Sequence, residues 1–156
     1  MIDELYSAKL LKLAANMPHA GRLTDPQGSA SKVAKLCGST VVVDLDLQDG
    51  LVSRFAQDVK ACALGQASAA VLGANVLGAS LSELELAKDQ FRAMLKDGGP
   101  PPNGRFSDLA MLAPVKDYPA RHASTLLAFE AAVEATAKRA PELAAPARLD
   151  TSVPAG

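Results

Sequence analysis

Cysteine is the residue type in this chain best suited to soft-metal or sulfur chemistry, and it occurs twice. Cys37 stands in Lys35-Leu36-Cys37-Gly38-Ser39, just ahead of a valine-rich run, and Cys62 stands in Lys60-Ala61-Cys62-Ala63-Leu64-Gly65, where a helix of small residues begins. One thiol at a strand entrance and one at a helix entrance suit a shared metal or a sulfur-handling site. The opposing reading is that both are inert, because a thiol's reactivity is set by its surroundings. Cys62 sits where unsatisfied helix amides and a partial positive charge favour a thiolate. Two thiolates leave a tetrahedral centre incomplete, so a bound metal or cluster needs ligands from elsewhere.

The elements that must position these thiols are readable on either side of them. From Thr40 to Leu47, Val41, Val43, Leu45 and Leu47 alternate with Asp44 and Asp46, the period-two pattern of a half-buried strand with the aspartates on a solvated face. Asp49-Gly50 is a hairpin turn signal, after which Leu51, Phe55 and Val59 place a second strand on the same core. A third short strand is expected just before Cys62, and residues 20–32, rich in Gly, Asp, Pro and Ser, read as a loop. A helix is predicted from Cys62 to about Leu77, and a second from the Ser80-x-x-Glu83 capping box to Lys96, stopped by Gly98-Gly99-Pro100. A short helix over Ser107–Leu112 precedes a long one opening near Pro119, with Leu126, Phe129 and Val133 as its buried stripe. An amphipathic helix from Asp3 to Asn16 opens the chain. The expected fold class is α+β, a small antiparallel sheet of two to three strands packed against several helices. Residues 1–140 form a single domain, and 141–156 an unpatterned Pro- and Ala-rich tail, expected to be disordered.

Composition narrows the function. With 16 Lys and Arg against 17 Asp and Glu, the formal net charge of −1 offers no field for nucleic acid or anionic lipid. Neither is an expected partner. The most apolar stretch, Ala63–Leu81, is interrupted by Gln66, Ser68 and Asn75, so it reads as a buried helix rather than a membrane span. The acidic start Met1-Ile2-Asp3-Glu4 is unlike a secretory signal, and a cytoplasmic location is expected. In a reducing cytosol a structural Cys37–Cys62 disulfide is disfavoured, which leaves metal binding or thiol chemistry. No nucleophile paired with a base, phosphate loop or His-Glu-x-x-His pattern appears, so the chain is not expected to be an enzyme.

Taken in order, several segments resemble one family. Cys37-Gly38 before a Val-rich hairpin, Cys62-Ala63-Leu64 followed by Ala67-Ser68-Ala69, and Val115-Lys116-Asp117-Tyr118-Pro119-Ala120-Arg121 at the opening of the last helix are similar to the IscU, SufU and NifU-amino-terminal iron-sulfur cluster assembly scaffolds. The similarity covers roughly residues 5–137 and includes Leu5-Tyr6, Asn16, Pro18 and Gly21. The extra length around Lys96–Asp108 is closer to the SufU branch. The ligand set departs from the pattern. Ser39 stands where the family has Asp, Ser124 falls at the third cysteine, and Ala123 precedes it where some members have His, with His122 one residue earlier. A serine hydroxyl is a far weaker metal ligand than a thiolate or carboxylate at neutral pH. Leu112-Ala113-Pro114-Val115-Lys116 echoes a chaperone-recognition motif of IscU but lies several residues too early, and no chaperone binding follows from it.

The resemblance implies three readings, which the residues leave open. The first is a scaffold or carrier binding iron or an iron-sulfur cluster through Cys37 and Cys62, with ligands completed by a partner or by the second chain of a homodimer; Ser39, His122 and Ser124 are weaker ligand candidates. Four thiolates from two chains match the usual cluster requirement. The second is a zinc-dependent sulfur-transfer protein, in the SufU manner, accepting persulfide on Cys37 from a cysteine desulfurase. The third is a non-metal interaction module that retains the scaffold fold. A cysteine desulfurase and acceptor apoproteins are the partners that the resemblance implies.

Overall fold

A computed structural model describes residues 8–149, with side chains as far as Lys138. Within it, helix α1 (Ala8–Ala15) precedes strands β1 (Gly28–Ala34), β2 (Ser39–Gln48) and β3 (Leu51–Lys60). Helices α2 (Ala63–Asn75) and α3 (Leu81–Asp97), 3-10 segments at Gly104–Asp117 and Pro119–Arg121, and the long helix α4 (His122–Leu149) follow. The fold is α+β, with one antiparallel sheet in the order β1-β2-β3.

The β2–β3 hairpin turns where the sequence places it. Asp49 and Gly50 both have positive φ, 56° and 80°, the twist that matches a two-residue hairpin. The register differs in detail. Asp46 pairs with Arg54 and Leu47 with Val52, so Ser53 is an extra residue on β3. This bulge flips the parity: Val52 joins Phe55 in the core, while Leu51, expected to face inward, is exposed.

The third strand is β1, in the segment expected to be a loop, and no strand intervenes between β3 and Cys62. Its inward residues are Gly28, Ala30 and Ala34. Such small side chains carry little hydrophobic signal, yet they are what allows α4 to lie close across β1 and β2. The other face of the sheet is not solvated at Asp44, which is fully buried. Residues 22–27 strap across it: Arg22 pairs with the Asp44 carboxylate at 2.6 Å, and the Ser29 hydroxyl and Leu23 N–H also donate to it. Asp46 accepts from the Gln27 N–H and from Arg54. Polar alternation recorded the face correctly and missed its cover.

Helix α2 is buried on most of its circumference, from Leu64 through Gly73. The Gln57 amide, on β3, donates to the Ala69 carbonyl at 2.8 Å and fixes α2 to the sheet. The Ser80–Glu83 capping box starts α3 with both reciprocal bonds formed, and Gly98 ends it at φ 70°. The predicted stripe of α4 is buried, and Phe129 makes edge-to-face contacts with Phe91 and Phe106 at 5.7 and 5.2 Å between centroids. Residues 107–112 lie inside a kinked 3-10 segment rather than a separate α-helix.

Of the amino-terminal helix, the portion from Ala8 is seen, with Leu10 buried; residues 1–7 lie outside the described residues. The segment read as a tail from Pro141 continues α4 as helical backbone to Leu149, and residues 150–156 lie outside the described residues.

Candidate functional site

The turn between β1 and β2 carries Cys37. Gly38 N–H donates to the Ala34 carbonyl at 2.8 Å, and Gly38 takes φ 77°, a conformation that a glycine adopts without strain. Ala34 then pairs with Ser39, the first residue of β2. This geometry leaves Cys37 exposed and Ser39 buried. Their side chains meet at 3.1 Å, Sγ to Oγ.

At the same end of the sheet, β3 finishes at Lys60 and the chain enters α2 through Cys62. Cys62 is the N-cap residue, in extended conformation and without a side-chain capping bond. Its sulfur is therefore left free to face α4. There it lies 3.7 Å from the Ser124 hydroxyl. Either group can donate in that contact, and the Ser124 hydroxyl also lies 3.2 Å from the Arg121 carbonyl. The close approach of the two helices depends on Gly65, where an added Cβ would lie 2.8 Å from Ala61 Cβ and 3.0 Å from the Ser124 carbonyl oxygen.

The Cys37 thiol is held below the ordinary thiol range. The Ser39 hydroxyl is the main cause, helped by the Ser39 N–H; partial burial opposes them, and the Ser124 hydroxyl adds to the lowering. Cys37, Ser39 and Cys62 line one open depression of about 340 Å³, together with Lys60 and Arg121. These two cations were not singled out by sequence reasoning. Their signal was position alone, Lys60 two residues before Cys62 and Arg121 three before Ser124 on the same helical approach.

Four of the five candidates therefore converge: Cys37, Ser39, Cys62 and Ser124. His122 does not. It is buried at the start of α4, its Nε2 lies 2.9 Å from the Val115 carbonyl and 3.2 Å from that of Lys116, and it does not line the depression. A carbonyl only accepts, so Nε2 is the protonated nitrogen and serves to tie the 3-10 segment to α4. Leu112 and Val115, from the displaced chaperone-like motif, are buried as well.

The donor set is two thiols and two hydroxyls. Among the described residues no group of three or more His, Cys, Asp or Glu side chains gathers around a metal-sized position. One chain thus offers two strong ligands for iron or zinc, and the open side of the depression is where further ligands would enter.

No family model matches the chain. Over 134 residues it is 25% identical to the iron-sulfur cluster assembly scaffold protein IscU of Thermotoga maritima, covering 86% of this chain and 94% of that one. Among solved structures, a nitrogen-fixing NifU-like protein (N-terminal) from Brucella abortus superposes with a TM-score of 0.88 at 48% identity, over 90% of this chain and 98% of the other. A SUF-system scaffold candidate from Fervidobacterium islandicum AW-1 gives a TM-score of 0.78 at 18% identity, over 86% and 98% of the two chains, and shares the fold.

Proposed function

As the premise for what we propose here, the chain belongs to the IscU, SufU and NifU-amino-terminal family of scaffold proteins. Its general role is iron-sulfur cluster assembly. In our reading it holds iron or a cluster as cargo through Cys37 and Cys62, and a second copy of the chain or an acceptor protein completes the coordination. The observation that carries this reading is that both thiols line one open depression, with the Ser124 hydroxyl 3.7 Å from the Cys62 sulfur. Two strong ligands per chain are half of what a cluster takes, so loading and pairing of chains are coupled.

A second reading, sulfur acceptance on Cys37 from a cysteine desulfurase, is favoured by the exposure of Cys37 and its acidified thiol. Zinc fits it less well than persulfide does, because Ser39 and Ser124 replace the two ligands that would complete a zinc site. The interaction-module reading has no observation in its favour beyond the absent ligands. Among the described residues no helix is long and apolar enough to cross a membrane, in keeping with the proposed cytoplasmic location.

Anaerobic reconstitution with ferrous iron and sulfide tests the first reading. The expected result is a charge-transfer absorption band, iron bound in stoichiometric amount, and a mass in light scattering that doubles with loading; Cys62→Ser abolishes all three. A wild-type chain that binds no iron and stays monomeric refutes the scaffold site as drawn.

A further inference from the structure

The two thiols differ in a way that assigns them different tasks. Cys37 is exposed on a short turn, while Cys62 lies half-buried behind it at the mouth of α2. The Ser124 hydroxyl is 3.7 Å from the Cys62 sulfur, and both cysteines line the same open depression. Lys60 and Arg121 are the charged side chains lining the depression. They favour anionic sulfur there, whether as an attacking thiolate or as a departing hydrosulfide. Cys62 is the one other thiol lining the depression beside Cys37.

Resting on the sulfur-acceptor reading above, we propose that Cys62 is a resolving thiol, which attacks the Sγ of a Cys37 persulfide, forms a Cys37–Cys62 disulfide and releases hydrosulfide. The step is complete in atoms and electrons. Cys62 gives up its thiol proton and forms the new S–S bond to Cys37. The bond between Cys37 Sγ and the outer sulfur breaks, and its electron pair leaves with the outer sulfur as hydrosulfide. The outer sulfur gains two electrons and the two cysteine sulfurs lose one each, so no external reductant enters the step. A dithiol reductant is then the class of co-reactant that returns the chain to its starting state. The site would in this way turn delivered sulfane sulfur into sulfide, the form in which a cluster contains it.

The test uses the full chain, metal-free and anaerobic. Glutathione persulfide is given as a short pulse and removed by desalting; free sulfide is then measured, and the intact mass is read after acid quenching and thiol alkylation. In wild type the mass of one added sulfur atom should give way to a chain two hydrogens lighter than the reduced form, with one sulfide released per chain. Cys62→Ser, and Cys62→Ala as a second variant with circular dichroism to confirm its fold, should keep the added sulfur on Cys37 roughly tenfold longer and release no sulfide. Equal persulfide lifetimes in wild type and both variants overturn the proposal while leaving Cys37 as a sulfur acceptor. So does added sulfur found on Cys62, which would mean attack at the outer atom. Absence of sulfur on Cys37 in every chain removes the acceptor reading and this proposal together. Independently, diamide must convert wild type to the internal disulfide; failure to do so means that the two sulfurs cannot meet.

Discussion

Cys62 and Ser124 are separated by 62 positions in the chain and by 3.7 Å in space, Sγ to Oγ, across the junction of α2 and α4. The contact exists because Cys62 caps α2 without spending its side chain on a helix amide, and because Gly65 lets α4 come within van der Waals distance. It places a hydroxyl at the position where the resemblance puts the family's third cysteine.

Ser124→Cys should therefore supply a third thiolate to the site. An ionised sulfur in place of a neutral hydroxyl is expected to tighten zinc or cluster binding at least tenfold, about 1.4 kcal/mol. Anaerobic metal titration against a chromophoric chelator reads the change, and Cys62→Ser in the same background should erase it. Unchanged affinity would mean that positions 37, 62 and 124 do not converge on one ion.

Gly65→Ala probes the helix junction rather than the ligands. Its Cβ would meet Ala61 Cβ at 2.8 Å and the Ser124 carbonyl at 3.0 Å, neither of which is the far end of a flexible side chain. A loss of about 1–3 kcal/mol in urea unfolding is expected, of the size usual for overpacking, along with weaker metal binding. A variant as stable as wild type would show that α2 and α4 can separate at little cost.

Ser39→Ala should raise the Cys37 pKa, because the Ser39 hydroxyl is the largest influence lowering it. Thiolate is the form that reacts with iodoacetamide. In metal-free protein the alkylation rate of Cys37 should thus fall at neutral pH, and its pH profile should move to higher pH. Superimposable profiles for the two proteins would remove Ser39 as the activating group.

Asp44 gives the fold a pH dependence of known sign. Burial by itself raises its pKa, but hydrogen bonds from Arg22, Ser29 and the Leu23 N–H, with the charge of Arg22, bring it below the usual carboxylate range. The stability it contributes is therefore present above the unfolded-state value of about 3.9 and is lost as pH falls through the native value. Asp44→Asn should cost about 1–3 kcal/mol at neutral pH, since it leaves the strap's donors poorly paired. The gap from wild type should narrow in urea titrations well below pH ~3.9. A gap of constant size would mean that the carboxylate charge does not hold residues 22–27 to the sheet.

Local signals in the sequence determined much of the frame. The alternation from Val41 to Leu47, the Asp49-Gly50 turn, the Ser80–Glu83 box and the glycine after Asp97 each fix backbone geometry within a few residues, so they could be read without the rest of the chain. The two cysteines were marked for the same reason, each standing at the entrance to a recognisable element. Strand β1 was not legible, because Gly28, Ala30 and Ala34 carry almost no hydrophobic contrast; it is a strand by virtue of the partners it finds in β2 and α4. Nor could composition reveal that Asp44 is buried, since its cover comes from Arg22 and the chain that follows. The site itself belongs to the tertiary structure. Ser124 beside Cys62, Lys60 and Arg121 at one depression, and His122 turned to the Val115 carbonyl all depend on how α4 docks against α2 and the sheet. A helix's rotation and depth are set by close packing against its neighbours, and linear spacing does not encode that fit.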